Sequence, residues 1–166
     1  KLPSRITTIP HGTFSGCTSL ARIDLPDGIT HIEENAFSNA GLVKIVLPDA
    51  LVSIGSSAFQ ECTKLQEINF PKNLEELQNY AFYGCTSLKT IIVYCKPIAG
   101  YLYTFRNVKA TAYYPEENSI WATQGGFGSG QINIKPLSKL NQCNKDSHVF
   151  GNWVVTVEPT PDVDCG

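Results

Sequence analysis

LPDGITHIEENAFSNAGLVKIV (Leu25–Val46), LPDALVSIGSSAFQECTKLQEIN (Leu47–Asn69) and FPKNLEELQNYAFYGCTSLKTII (Phe70–Ile92) are one phrase written three times, and LPSRITTIPHGTFSGCTSLARID (Leu2–Asp24) is an earlier copy. The apolar anchors keep step: Ile6, Ile29, Leu51, Leu74; then Ile9, Ile32, Ile54, Leu77; then Phe14, Phe37, Phe59, Phe82. Leu20, Leu42, Leu65 and Leu88 follow, and after them Ile23, Ile45, Ile68 and Ile91. A period of about 23 residues marks a repeat architecture. One phrase cannot bury its apolar side chains alone, so neighbouring copies must stack and close a continuous core.

Within each copy the segment ending in proline is written as a strand. In LARIDLP, LVKIVLP and LQEINFP, residues Leu20, Ile23 and Leu25 and their equivalents are expected to face inward, with Arg22 and Asp24 outward. Pro26, Pro48 and Pro71 then stop the strand, because proline has no N–H to give to a ladder. A second short strand follows in ITTI, ITHI, LVSI and LEEL. The small residues around one phenylalanine in ENAFSNA and SSAFQEC predict a 3-10 or single helical turn.

The combined phrase LPxxLxxIgxxAFxxCtxLxxIxLP resembles the BspA-like leucine-rich repeat, a family found on surface proteins of oral and gut bacteria and in some parasitic protists. The resemblance covers roughly residues 2 to 94. One copy departs from it, being short by one residue at Gly41-Leu42 and carrying Ala40 where the others carry Cys17, Cys62 and Cys85. It implies a leucine-rich-repeat right-handed solenoid of mainly short parallel β-strands with 3-10 or short helical turns, then a degenerate C-terminal cap and a small β tail. The expected organisation is four repeats over 1–94, a degenerate repeat and cap over 95–137, and over 138–166 a short tail containing Cys, His and Trp or the start of a further module. Ala112-Tyr113-Tyr114-Pro115 reads as a last short strand, and the resemblance implies that it and Trp121 belong to the cap. GGFGSG at 125–130 reads as a flexible loop and Gln131-Ile132-Asn133-Ile134 as a further strand. Cys143, His148, Gly151 and Trp153 resemble a short Cys-x-His-x-x-Gly-x-Trp segment at the ends of some bacterial surface proteins, with a longer gap between Cys143 and His148.

A chain of 166 residues, 42% hydrophobic, accommodates one domain and a small appendage. With Lys+Arg 13 against Asp+Glu 15 it has no surplus of cations to displace counterions, so a nucleic-acid partner is not expected. No run approaches the roughly 18 apolar residues that cross a bilayer, so no membrane insertion is expected in this segment. The first residue is Lys1, methionine is absent, and the first repeat begins with no polar lid. The chain is therefore expected to be a trimmed part of a longer protein, extracellular or at the cell surface, whose signal peptide is removed or lies outside this segment. No Asn-x-Ser/Thr sequon occurs, which favours a bacterial source.

Catalytic chemistry finds little to build on. Cys17, Cys62 and Cys85 share one core-facing slot and are expected as buried thiols, with Cys95 packed at the cap. Cys143 and Cys165 bracket the tail, either bridged or free; with His148 they make three weak metal candidates without the spacing of a structural zinc site. No GxSxG elbow is present, and GGFGSG lacks the Lys-Ser/Thr of a phosphate loop. The pairs Glu33-Glu34, Glu75-Glu76 and Glu116-Glu117 are adjacent residues whose side chains point apart. Neither enzymatic activity nor a cofactor or metal is expected.

What remains is surface. The strand ladder should present Arg22, Lys44, Glu67 and Thr90 in one outward row and Asp24, Val46, Asn69 and Ile92 in the next, with Val46 and Ile92 as apolar spots. Partners are expected there: a protein of the host or of a bacterial surface, or extracellular matrix. Two alternatives stand beside this adhesion reading. Tyr101, Tyr103, Tyr113, Tyr114 and Trp121 could stack on a glycan or instead plug the end of the core, and the array could be a structural spacer that displays another domain. The oligomeric state is left open.

Overall fold

The computed structural model describes residues 2–98, 103–118, 120–121 and 131–141. Its repeats form a parallel-strand β-solenoid with two sheets. One holds β1 (Thr8–Ile9), β2 (His31–Ile32), β3 (Ser53–Ile54) and β5 (Glu76–Leu77), each paired in parallel with its neighbour in the order β1-β2-β3-β5. The other holds β4 (Glu67–Phe70), β6 (Thr90–Val93), β7 (Lys109–Tyr114) and β8 (Gln131–Pro136), also parallel and in the order β4-β6-β7-β8. Single bridges from Arg22 to Lys44 and from Lys44 to Glu67 carry this second ladder back to the first copy. The third and fourth copies contribute one strand to each sheet, whereas the first two contribute a strand to one and a single bridge residue to the other.

The third side of each coil holds no helical turn, contrary to the sequence expectation. It is a chain of β-turns whose amides divide their work. In the second coil Ala36, Ser38 and Ala40 donate to carbonyls three residues back, Glu33, Asn35 and Phe37. The intervening Asn35, Phe37 and Asn39 donate instead to Ser56, Ala58 and Gln60 of the next coil, at 2.7–3.0 Å. Aiming those amides outward requires left-handed backbone at two fixed slots. Gly12, Asn35, Ser57 and Tyr80 fill one, and Gly16, Asn39, Glu61 and Gly84 the other, with φ between 54° and 72°. A helix tolerates no such residues in its interior, and this is why the small-residue pattern around phenylalanine misleads. Short helical elements among the described residues lie outside the four copies, including a 3-10 turn over Glu116–Asn118 and a single helical turn over Ser138–Asn141.

The core is a column of rings. Phe14, Phe37, Phe59, Phe82 and Phe105 stack at centroid spacings of 5.1–5.3 Å, with interplanar angles of 13°, 6°, 3° and 5°. That spacing slightly exceeds the ~4.8 Å between hydrogen-bonded strands, so the backbone ladder sets it. Phe105 extends the column beyond the four copies legible in sequence, and Phe70 tilts against both Phe82 and Phe105. Phe37, Phe59, Phe82 and Phe105 are fully buried, whereas Phe14 is only half-buried.

The cysteine slot follows the same gradient. Cys62 and Cys85 are buried free thiols whose Sγ atoms donate to the Phe37 and Phe59 carbonyls at 3.0 and 3.1 Å. Cys17, expected to face the core, is exposed, because no described coil covers the first one. Burial pushes the Cys62 and Cys95 thiols up to about 12 and raises Cys85 well above the ordinary 9.0. Two outcomes follow. Under native conditions iodoacetamide should label Cys17 and spare Cys62, Cys85 and Cys95, read by site-resolved peptide mass mapping. Since the unfolded chain loses these protons near pH 9 and the folded chain keeps them, stability should fall as pH rises from about 9 towards 12, measured by urea denaturation across that range.

Candidate functional site

Among the described residues the second ladder carries the longer outward row in register. Arg22, Lys44 and Glu67 are joined by bridges, and Glu67, Thr90 and Thr111 by strand register, with Asn133 paired to Thr111 beyond them. Six rungs at about 4.8 Å make a row of about 24 Å. In the second row Asn69, Ile92, Tyr113 and Lys135 are in register. β7 and β8 thus lengthen the ladder predicted from four copies, adding Thr111 and Asn133 to one row and Tyr113 and Lys135 to the other.

The eight expected ladder residues differ in availability. Arg22 and Asp24 are exposed and lie 3.7 Å apart as a solvent-facing ion pair. Lys44, Val46, Glu67 and Thr90 are half-buried. Asn69 is committed to the scaffold. Its Oδ1 accepts from the Leu47 N–H and its Nδ2 donates to the Leu47 carbonyl, both at 2.9 Å. The amide thereby stands in for the bridge that the chain gives up on approaching Pro48. Asn69→Ala should leave both Leu47 groups without that partner and cost about 1–2 kcal/mol, measured by denaturant unfolding.

Ile92 does not provide the exposed apolar spot that its outward position predicts. Only 4% of it is accessible, although it stands apart from the main core cluster that takes in Ile91 and Val93 on either side. It lies at the bottom of a cleft on the ladder face. Pro115 and Glu117, at the 3-10 turn after β7, line a hollow of about 310 Å³ together with Val46, Asn69, Ile92 and Tyr94. Lys44, Asp49, Glu67, Lys72 and Glu117 supply its charges. Glu67 Oε2 itself is buried from solvent and accepts no hydrogen bond. Burial, and secondarily the Asp49 carboxylate, push the Tyr94 phenol above its ordinary 10.0, so it stays a neutral hydroxyl at physiological pH. A second hollow of about 580 Å³, with Arg22, Asp24, Asp27, Lys44 and Asp49 among its walls, continues along the ladder towards the first copy.

The aromatic candidates do not assemble as one surface. Trp121 is 1% exposed and its Nε1 donates to the Cys95 carbonyl at 2.9 Å, so it closes the core and offers no face to a sugar. Tyr113 and Tyr114 are half-buried on β7. Tyr103, 36% exposed, stacks on Tyr80 at 5.3 Å with Arg106 5.5 Å from its ring centre, while Tyr83 meets Tyr80 edge-on. The partners Tyr80, Tyr83 and Arg106 were missed in the sequence, although Tyr103-Thr104-Phe105 repeats the pattern of Tyr80-Ala81-Phe82. Tyr101, the 125–130 loop and the tail trio Cys143, His148 and Cys165 lie outside the described residues.

His31 sits on β2 in a row with Thr8, Ser53 and Glu76, and His11 lies 3.8 Å from Glu34 on an exposed turn. Among the described residues no group of three or more His, Cys, Asp or Glu side chains is placed to hold a metal ion. No helix among them is long and apolar enough to cross a membrane.

The family model for the BspA type leucine-rich repeat region matches residues 1–111, in 6 copies. A leucine-rich repeat protein from Bacteroides ovatus ATCC 8483 superposes with a TM-score of 0.62 at 26% identity, over 81% of this chain and 35% of that one. The pneumococcal vaccine antigen PcpA does so with a TM-score of 0.62 at 18% identity, over 81% of this chain and 40% of that one, which shows the fold alone. The chain thus spans well under half the length of both structures. No curated protein matches the sequence significantly.

Proposed function

The chain belongs to the BspA-type leucine-rich-repeat family, and from that membership we propose that it is a non-enzymatic recognition or adhesion module of a bacterial surface or secreted protein, taking a protein or matrix partner on its outward ladder. One observation carries the reading. Inward positions repeat from coil to coil, whereas the outward row changes from Arg22 and Lys44 to Glu67, then Thr90 and Thr111, on a backbone of fixed register. A surface that is regular in geometry and irregular in chemistry is suited to selecting partners. A standard interface covers about 800 Å² per partner, so flanking coils of a longer protein would share the contact.

The test is a charge reversal. Arg22→Glu with Lys44→Glu should weaken binding to a responsive member of a panel of purified matrix glycoproteins by about tenfold or more while leaving the melting temperature within a degree or two. Unchanged binding would remove this face from consideration. Glycan binding is a second reading with one specific support, the exposed edge of the Tyr80–Tyr103 stack beside Arg106. A glycan array that responds to wild type and loses its signal on Tyr103→Ala would favour it over the ladder.

A further inference from the structure

We propose that the 580 Å³ hollow between the first two coils receives the side-chain carboxamide of one asparagine or glutamine of the partner protein, seated on the main-chain N–H and C=O of Leu25. The inference deepens the ladder reading and rests on it.

The molecule carries a filled example of this site one coil further on. There the Asn69 carboxamide accepts from the Leu47 N–H and donates to the Leu47 carbonyl, both at 2.9 Å. The bridges from Arg22 to Lys44 and from Lys44 to Glu67 fix the register, so Asp24, Val46 and Asn69 share one outward row, and Leu25 and Leu47 share the position that follows it. Leu25 therefore stands to Val46 as Leu47 stands to Asn69. Valine has no polar atom to offer in the amide's place. Among the described residues the Leu25 N–H and carbonyl have no hydrogen-bond partner. Leu25 and Val46 both line the hollow, and each keeps part of its surface accessible.

The occupant is selected by hydrogen-bond polarity. Charge plays no part, because carboxylates and cations line both hollows of the ladder alike. The N–H and C=O of one extended residue point to the same side, and a primary carboxamide presents an acceptor and a donor next to each other to match them. A carboxylate has no donor for the carbonyl, and an ammonium or guanidinium group has no acceptor for the N–H.

Titration of the isotope-labelled chain with Ac-Ala-Ala-Asn-Ala-Ala-NHMe and its glutamine counterpart, whose methylamide caps carry no primary amide, tests the site through amide NMR shifts. Saturable shifts centred on Leu25 and Val46 are expected from one or both, with the aspartate, lysine and leucine peptides weaker by about fivefold or more for want of one or both hydrogen bonds. Val46→Asn should fill the site from within. The Leu25 amide should then exchange with deuterium about tenfold more slowly, and the peptide response should vanish. Equal response to the leucine peptide, absence of saturable shifts at Leu25 and Val46, or an unprotected Leu25 amide in the Val46→Asn variant would each overturn the proposal. The same variant separates the two ideas. If it binds the matrix glycoprotein as wild type does, while Arg22→Glu with Lys44→Glu does not, the carboxamide site falls and the ladder stands.

Discussion

Replacing Phe59 with alanine should destabilise the chain by about 3–5 kcal/mol, the cost of emptying a buried aromatic site that cannot collapse. Phe59 is fully buried, with Phe37 on one side at 5.2 Å and Phe82 on the other at 5.1 Å, so its removal takes a ring from the middle of the column. The main-chain bonds from Phe37 to Ala58 and from Phe59 to Ala81 hold the coils at their separation, which prevents the neighbours from closing the gap. Phe14→Ala should cost less than half as much, since Phe14 is only half-buried and has a ring on one side alone. Chemical denaturation of the two variants measures the difference. Equal losses would mean that the column is not what sets the stability of the stack.

Gly41→Val is the second large effect, expected at about 3 kcal/mol or more, the upper end of the overpacking range. The second copy is one residue short where it passes from Ala40 to Leu42, and the shortened chain is drawn against the first coil. The Gly41 amide donates to the Cys17 carbonyl at 3.0 Å, and any Cβ at this position would land on the Thr18 carbonyl. The obstacle is backbone, so no rotamer change relieves it and the two coils must separate. Restoring the missing residue, by inserting a threonine between Ala40 and Gly41 to match Cys62-Thr63-Lys64, should recover part of the loss. A valine variant as stable as wild type would show that the coils are not in close contact there.

The extent to which the fold could be read in advance depends on which interactions leave a periodic trace. Leucine, isoleucine and phenylalanine anchors repeat because every coil buries the same face, so both sheets and the ring column were legible from residue spacing. The turn side was misread because its determinant is backbone φ, and Asn35, Ser57, Glu61 and Tyr80 share no chemistry that announces left-handed geometry. Gly12, Gly16 and Gly84 hint at it, as do Asn35 and Asn39, since asparagine is enriched in that region. The coil built on Phe105 was passed over because Val108 replaces the cysteine of its slot and the proline that would introduce the coil is displaced to Pro97.

The ladder rows were legible for the same reason as the core, since residues that alternate with buried ones must point outward. What outward means in practice was not. Ile92 is 4% accessible in a cleft whose lining includes Pro115 and Glu117, more than twenty residues later in the chain, and Asn69 spends its amide on Leu47 of the coil before it. Both are single long-range events, and a repeat pattern carries no record of an event that happens once.

The division of labour among the turn amides has a consequence for how such a chain can change over generations. Half of those amides secure the coil to itself and half to its neighbour, and neither set depends on what the intervening side chains display. A substitution at the side chain of Arg22 or Lys44 therefore changes the outward chemistry without touching the bonds that bind the book. The outward rows are free to vary one coil at a time, with Asn69 among the few letters that are not free to be rewritten.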